Sequence, residues 1–593
     1  MSDERNYWQR TTEHRLSRRA ALRGAGLGLV GLAGASLIGC GDSDDAGGSG
    51  GGGSDSGGGT GATGDIKRGG TFTSNPSIGD PPTIDPYGNL SFETKRIAGA
   101  VYSRLFKRDT WPDSDGGETT PDHPDVAASL ETADGLEWIV KLNPAAKFHN
   151  VAPVNGRRVT SQDVLFSWQR LTAPETVGSD RVKGIGNVST PDDDTIVFNT
   201  DSPSPVFQET LADGTLLFIM PIESDGGFDP AVDMIGSGPW ILKNYEPSVQ
   251  FELDANPEWH EAGKDGSPLP YAAATRIPII PEYSNRLAQL EAGNIDMLDA
   301  VNGDDVLDVK SRHEDFQWLG SVSTVQSMLY FSNTLTTDQP WGDERVRQAI
   351  SRAIDRDSLS ELGYNEAALA SAGLSVKGGW QNIIPVGFGE RWWLDPQSAA
   401  AQPSHQHFVY DLAEAKKLLA AAGYEDGFKM PYIYTGRYPG PFPPIAEAHI
   451  NMLQQLGIDV VTEVQDYASK YITQTFVGNF EGSAFGYETP FPEVGSYFSR
   501  MFGDNKTNKG RVTDPEIDEI AKKQAVELNY EARKELIHQF QKINAKHMYY
   551  VPSQVGAGTG WRAYASRVQG GIRDTSGYGD NSEIYPYYWL SDS

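Results

Sequence analysis

The chain has 593 residues, of which 38% are hydrophobic and 10% aromatic, and it carries a formal net charge of −30. That apolar content excludes a wholly disordered chain, and the acidity argues against nucleic acid as a partner. The single cysteine, Cys40, excludes a disulfide within the chain.

In chain order, the first element is an export signal at 1–39. Arg15, Arg18, Arg19 and Arg23 form its basic region, and Ala25 to Gly39 is uncharged and apolar. At about 1.5 Å per residue this run reaches roughly 22 Å as a helix, short of a ~30 Å hydrocarbon core. Gly26, Gly28 and Gly31 spell G-x-G-x-x-G, but no strand pattern precedes them, which removes a dinucleotide loop. Ser17 to Arg23 resembles a twin-arginine export motif with Ala21 where an aromatic residue often stands, so general secretion stays open. Leu37-Ile38-Gly39-Cys40 resembles a bacterial lipobox, which implies lipidation of Cys40 and anchorage at the outer membrane face.

From Cys40, the tract through residue 64 is rich in Gly, Ser and Asp and reads as a flexible tether about 27 Å from end to end. Its G-x-S-x-G at Gly47 to Gly51 cannot form the strained strand-to-helix turn of a serine hydrolase. The body that follows is long enough for two or three subdomains, and its alternating strand and helix signals predict a mixed α/β fold. "TRIPIIPE" (275–282) and "SMLYFSN" (327–333) read as strands. "DERVRQAISRAIDRDSL" presents Val346, Ala349, Ile350, Ala353 and Ile354 on one helical face. In "YDLAEAKKLLAAAGY", Asp411 is the N-cap, Glu414 completes a capping box, and Gly423 ends the helix.

Together with "RGGTF" (68–72), "PPTIDP" (81–86), "VYSRLFKRD" (101–109), "VTSQDVLFSWQRL" (159–171), "GSGPWIL" (236–242) and "QLEAGNIDML" (289–298), these stretches resemble the solute-binding proteins of peptide and nickel ABC importers. The resemblance implies a type II periplasmic-binding-protein-like clamshell with an extra subdomain inserted in the first lobe. Expected boundaries are lobe I at 65–110, 235–325 and 550–593, the inserted subdomain at 111–234, and lobe II at 326–549. It further implies a monomeric receptor without catalytic residues or cofactor, which captures a short peptide by lobe closure and delivers it to importer permease subunits.

The same resemblance singles out two loops. Arg437 matches, within one position, an arginine that holds the carboxylate of a peptide ligand; a planar guanidinium grips that group with two parallel hydrogen bonds. In "FGYETPFPEVGSYF" (485–498) the position of an acid facing the ligand ammonium is Pro490, and Glu488 is the substitute acid, although an exposed glutamate is the ordinary fate. Tyr487 and Phe491 are apolar or stacking contacts.

Three other readings remain beside this one. His405 and His407 form an H-x-H pair with no third ligand at suitable spacing, so they read as surface loop histidines and no metal site is expected. Trp259, Trp380, Trp392 and Trp393 suit an oligosaccharide or other non-peptide solute, with core packing as the plainer role. A secreted hydrolase finds no H-E-x-x-H and no acid/base pair to support it.

Overall fold

The computed structural model describes residues 66–74, 79–89, 91–107, 123–174, 176, 179–263, 266–322, 324–438, 440–488, 493–503, 508–570, 572 and 583–593. The export signal, Cys40, the tether and Phe491 lie outside these residues. Chain contacts separate Met1–Ser56 from Gly57–Ser593, and all described residues belong to the second unit.

Among the described residues, four sheets have three or more strands. The first has the order Thr71–Thr73, Ala274–Pro278, Gln250–Ala255, Trp240–Glu246. The expected 275–282 strand stops at Pro278, since Pro278 and Pro281 cannot donate to a ladder. The second sheet is antiparallel, with the order Ala127–Glu131, Glu137–Leu142, Thr195–Thr200, Ile185–Asp192. Helix Ser161–Thr172 packs on it through Val164, Trp168 and Leu171, one turn apart, and starts from a complete Thr160/Asp163 capping box. The third sheet joins Met297–Val301, Thr559–Tyr564 and Gln317–Val322.

The fourth sheet has five strands in the order Asp459–Val464, Lys429–Tyr434, Ser483–Glu488, Gln326–Phe331, Tyr550–Pro552. Its first three strands run parallel, linked between Tyr434 and Asp459 by helix Phe442–Leu456, and the remaining pairs are antiparallel. All six residues of Gln326–Phe331 are buried, because both faces are covered. Leu329, Phe331, Tyr432, Phe485 and Val551 face one apolar layer, with the helices Glu344–Arg352, Leu412–Ala421 and Phe442–Leu456. Met328, Tyr330, Ile433, Ala484 and Tyr550 face the other, with helices Pro515–Gln524 and Tyr530–His547. The two-residue strand period assigns these sides, and each large apolar side chain buried this way contributes about 1.5–3 kcal/mol.

Two helix expectations need correcting. The 343–359 run is broken in two, Glu344–Arg352 and Arg356–Tyr364, because Asp355 caps a second start by accepting a hydrogen bond from the Ser358 amide at 3.1 Å. Asp411 does cap its helix, accepting from the Glu414 amide at 2.9 Å, but the Glu414 side chain pairs with Lys417 at 3.0 Å instead of closing the box.

Between the third and fourth sheets the chain crosses from Val322 to Gln326 and returns at 553–558. The crossings touch. Gly556 lies in the left-handed region (φ +85°), and a Cβ there would stand 1.8 Å from the Val325 carbonyl oxygen, so only glycine fits this approach.

Candidate functional site

Glu488 ends its strand opposite Gln326, the first strand residue after the first crossing. The neighbouring parallel strand ends at Tyr434 on the same side, so Thr435–Tyr438 and the strand end at Glu488 lie on one edge of the sheet, the edge of the crossings. Ligands of open α/β sheets sit at the carboxyl ends of parallel strands, where loops converge and backbone groups remain available. This edge is the candidate site.

Its floor is aromatic. Tyr438 lies with its ring centroid 4.6 Å from Tyr487, 5.6 Å from Tyr467 and 6.0 Å from Tyr471, each roughly edge to face. Phe442, at the start of its helix, is 4.9 Å from Tyr438 and 5.1 Å from Tyr487. Tyr471 donates to the Phe485 carbonyl at 2.9 Å, and a Cβ on Gly486 would collide with its hydroxyl at 1.8 Å. Glycine at 486 thus lets a tyrosine cross the strand. Burial pushes the Tyr438 and Tyr487 hydroxyls well above their ordinary pKa, so both are neutral at any physiological pH.

Arg437 stands in this loop with its amide donating to Thr435 Oγ1 at 3.3 Å. Its side chain is exposed, and among the described residues its guanidinium has no hydrogen bond or ion pair. Tyr487 is half-buried within the floor. Of the four residues singled out for ligand contact, Arg437, Tyr487 and Glu488 therefore come to one edge, while Phe491 lies outside the described residues.

Glu488 departs from expectation. It is 2% exposed, not a solvated surface acid, and its carboxylate is ion-paired with Lys509, itself 2% exposed; Arg500 Nε lies 4.0 Å away. The Lys509 ammonium lies 4.3 Å from the Phe476 ring centroid and 5.6 Å from that of Tyr330. Burial pulls the Lys509 pKa down, and the Glu488 charge and hydrogen bond oppose that pull. Lys509, Arg500 and the tyrosines 438, 467 and 471 escaped the sequence reading. Strand alternation was the usable signal for Glu488: it shares a face with Gly486 and Ala484, and Ala484 packs in the layer of Tyr330 and Tyr471.

The other candidates lie elsewhere. His405 and His407 are partly exposed in the turn Ser404–His407, and partial burial lowers His407 to about 4. Among the described residues, Asp125, His260 and Glu261 alone group three potential metal-ligand side chains. Lys107 Nζ already supplies a cation there, 2.6 Å from Glu261, and His260 Nε2 is 3.0 Å from Asp125. Trp259 and Trp392 are buried, Trp380 donates to Asp357 at 2.8 Å, and Trp393 donates to the Trp380 carbonyl at 3.2 Å.

Residues 123–509 match the family model described as bacterial extracellular solute-binding proteins, family 5, middle region. The chain belongs to this family. Heme-binding protein A of Haemophilus influenzae is 24% identical over 508 residues, covering 81% of this chain and 85% of that protein. The periplasmic murein peptide-binding protein MppA of Escherichia coli is 24% identical over 482 residues, covering 77% and 82%. The crystal structure of the ABC transporter substrate-binding protein CtaP from Listeria monocytogenes superposes with a TM-score of 0.70 at 20% identity, covering 88% of this chain and all of that one. The fold is accordingly the two-lobed type II arrangement, and the family's place is outside the cytoplasm. No helix among the described residues is long and apolar enough to cross a membrane.

Proposed function

We propose that this family 5 solute-binding protein is a membrane-anchored receptor that captures a short peptide or peptide-like solute and delivers it, unaltered, to an ABC importer. The observation that carries the reading is the edge beside the two crossings, where exposed Arg437 adjoins Tyr438 of the aromatic floor. A guanidinium without a partner among the described residues suits a ligand carboxylate, and neutral tyrosines suit side chains or amide faces. The relative named for murein peptide binding supports the peptide class.

In this reading lobe I comprises 65–110, 235–325 and the chain after 552, with 111–234 inserted, and lobe II is 326–552. The return crossing is drawn at 553–558 because Tyr550–Pro552 pairs with the Gln326–Phe331 strand. A ligand held between the lobes contacts both only when they close, so binding selects the closed form. Arg437, Tyr487 and Phe491 line the ligand, and Glu488 sets the charge beside it. The receptor acts as a monomer, without cofactor or chemical step. Diacylation of Cys40 holds it beside the importer and raises its local concentration there.

Incubation of purified protein with peptide and glycan pools, followed by mass analysis of what is retained, tests the proposal. Retained, uncleaved peptides are expected. Retained glycans would favour the sugar reading, and cleaved products would make the protein a hydrolase.

A further inference from the structure

The Glu488–Lys509 pair fixes which end of a cargo molecule this edge accepts. A buried carboxylate flanked by aromatic faces is a good receptor for an ammonium, and here a side chain of the same chain fills it. Lys509 is not a mobile plug. Its neighbour Asn508 donates to the Gly503 and Val512 carbonyls, both at 2.7 Å, and accepts from the Val512 amide at 3.0 Å. On the other side the Gly510 amide donates to the Tyr550 hydroxyl at 3.2 Å, and the Gly510 carbonyl accepts from Thr334 at 2.9 Å. The backbone carrying Lys509 is thus tied to the Phe331/Tyr550 end of the central strands.

An incoming ammonium would have to expel Lys509 from Glu488 and leave a second buried cation without its counter-charge, which strongly opposes the exchange. The charges around it point the same way. Arg500 Nε stands 4.0 Å from the same carboxylate, so among the described residues Glu488 already has a second cationic group beside Lys509. The segment that continues from Glu488, Thr489-Pro490-Phe491-Pro492, contains no further acid.

We infer that Lys509 is a built-in occupant of the ammonium position, so the cargo is a carboxylate-bearing molecule whose opposite end carries no free amine, such as an N-acylated peptide. This rests on the peptide reading above for the word peptide, and on the ion pair alone for the missing amine.

Wild-type protein is offered an equimolar mixture of lysine-free tri- to pentapeptides, half with free and half with Nα-acetylated amino termini, and the bound set is counted by mass spectrometry. Acetylated members should be enriched about tenfold or more; equal retention, or enrichment of free amines, overturns the proposal. A second arm needs no peptide. n-Butylammonium chloride should raise the Tm of Lys509→Ala above its value in sodium chloride of equal ionic strength. It should leave wild type and the Glu488→Gln/Lys509→Met double variant unmoved. A wild type stabilised as much as Lys509→Ala would show Glu488 open to external amines and overturn the proposal. Should Lys509→Ala fail to fold, the wild-type responses to the amine and to the peptide mixture decide. Retention of neither peptide kind, with the amine result as expected, refutes the peptide reading and leaves the filled ammonium position standing.

Discussion

Replacing Gly556 by alanine tests the contact between the two crossings. The residue has φ +85°, and its amide donates to the Tyr364 hydroxyl at 2.5 Å. Holding alanine in the left-handed region costs about 1–2 kcal/mol. The added methyl would meet the Val325 carbonyl oxygen at 1.8 Å, and its neighbour is backbone, which cannot rotate away. The crossings must separate, and the hydrogen bond to Tyr364 is lost for about 0.5–1.5 kcal/mol more. A destabilisation of about 2–3 kcal/mol is expected before any cost of moving Val325. Gly423→Ala is the matched control: it has φ +91°, ends a helix, and has nothing within 4 Å of the new Cβ. It should show the conformational cost alone. Urea unfolding, read as the midpoint shift at constant slope, compares them. Equal shifts for the two variants would mean that the crossings do not constrain each other and would remove the hinge contact from the account.

Arg437→Ala should weaken a carboxylate ligand by about 2–5 kcal/mol, with Arg437→Lys recovering only part; calorimetry with acid and amidated ligands checks this, and equal binding of both by wild type would refute it. The ligand-free stability of both variants should stay within about 0.5 kcal/mol of wild type, since the side chain is exposed. In acid, Asp125 should matter. Burial alone would raise its pKa, but the His260 hydrogen bond and charge, with Lys107, hold it at about 2, below its ordinary 3.8. Its contribution is therefore present above the ordinary value and lost as pH falls toward 2, about 2 kcal/mol in all, and Asp125→Asn should flatten that part of a stability-against-pH profile. Cys40→Ser should give a folded protein that washes off membranes in high salt; unchanged membrane retention would refute the lipid anchor.

The fold class could be read from the order of short stretches along the body, and the elements that failed did so for local reasons. A second aspartate cap split one helical run at Asp355, and two prolines shortened the 275–282 strand. The site was legible where chemistry sits in one loop, as with Arg437. It was not legible where partners come from distant chain segments: nothing near Glu488 in sequence announces Lys509, 21 residues on, or the Tyr330 ring that lies beside that lysine. An acid followed by Thr-Pro-Phe-Pro looks like the start of a solvated loop. Only the packed layer shows that the strand period turns Glu488 inward.

Small-angle X-ray scattering of the protein freed of cargo, before and after its retained cargo is returned, tests the central claim most directly. A smaller radius of gyration is expected on addition, with the cargo recovered chemically unchanged. Tight binding that leaves the scattering curve as it was, or cargo recovered cleaved, would contradict a receptor that works by lobe closure.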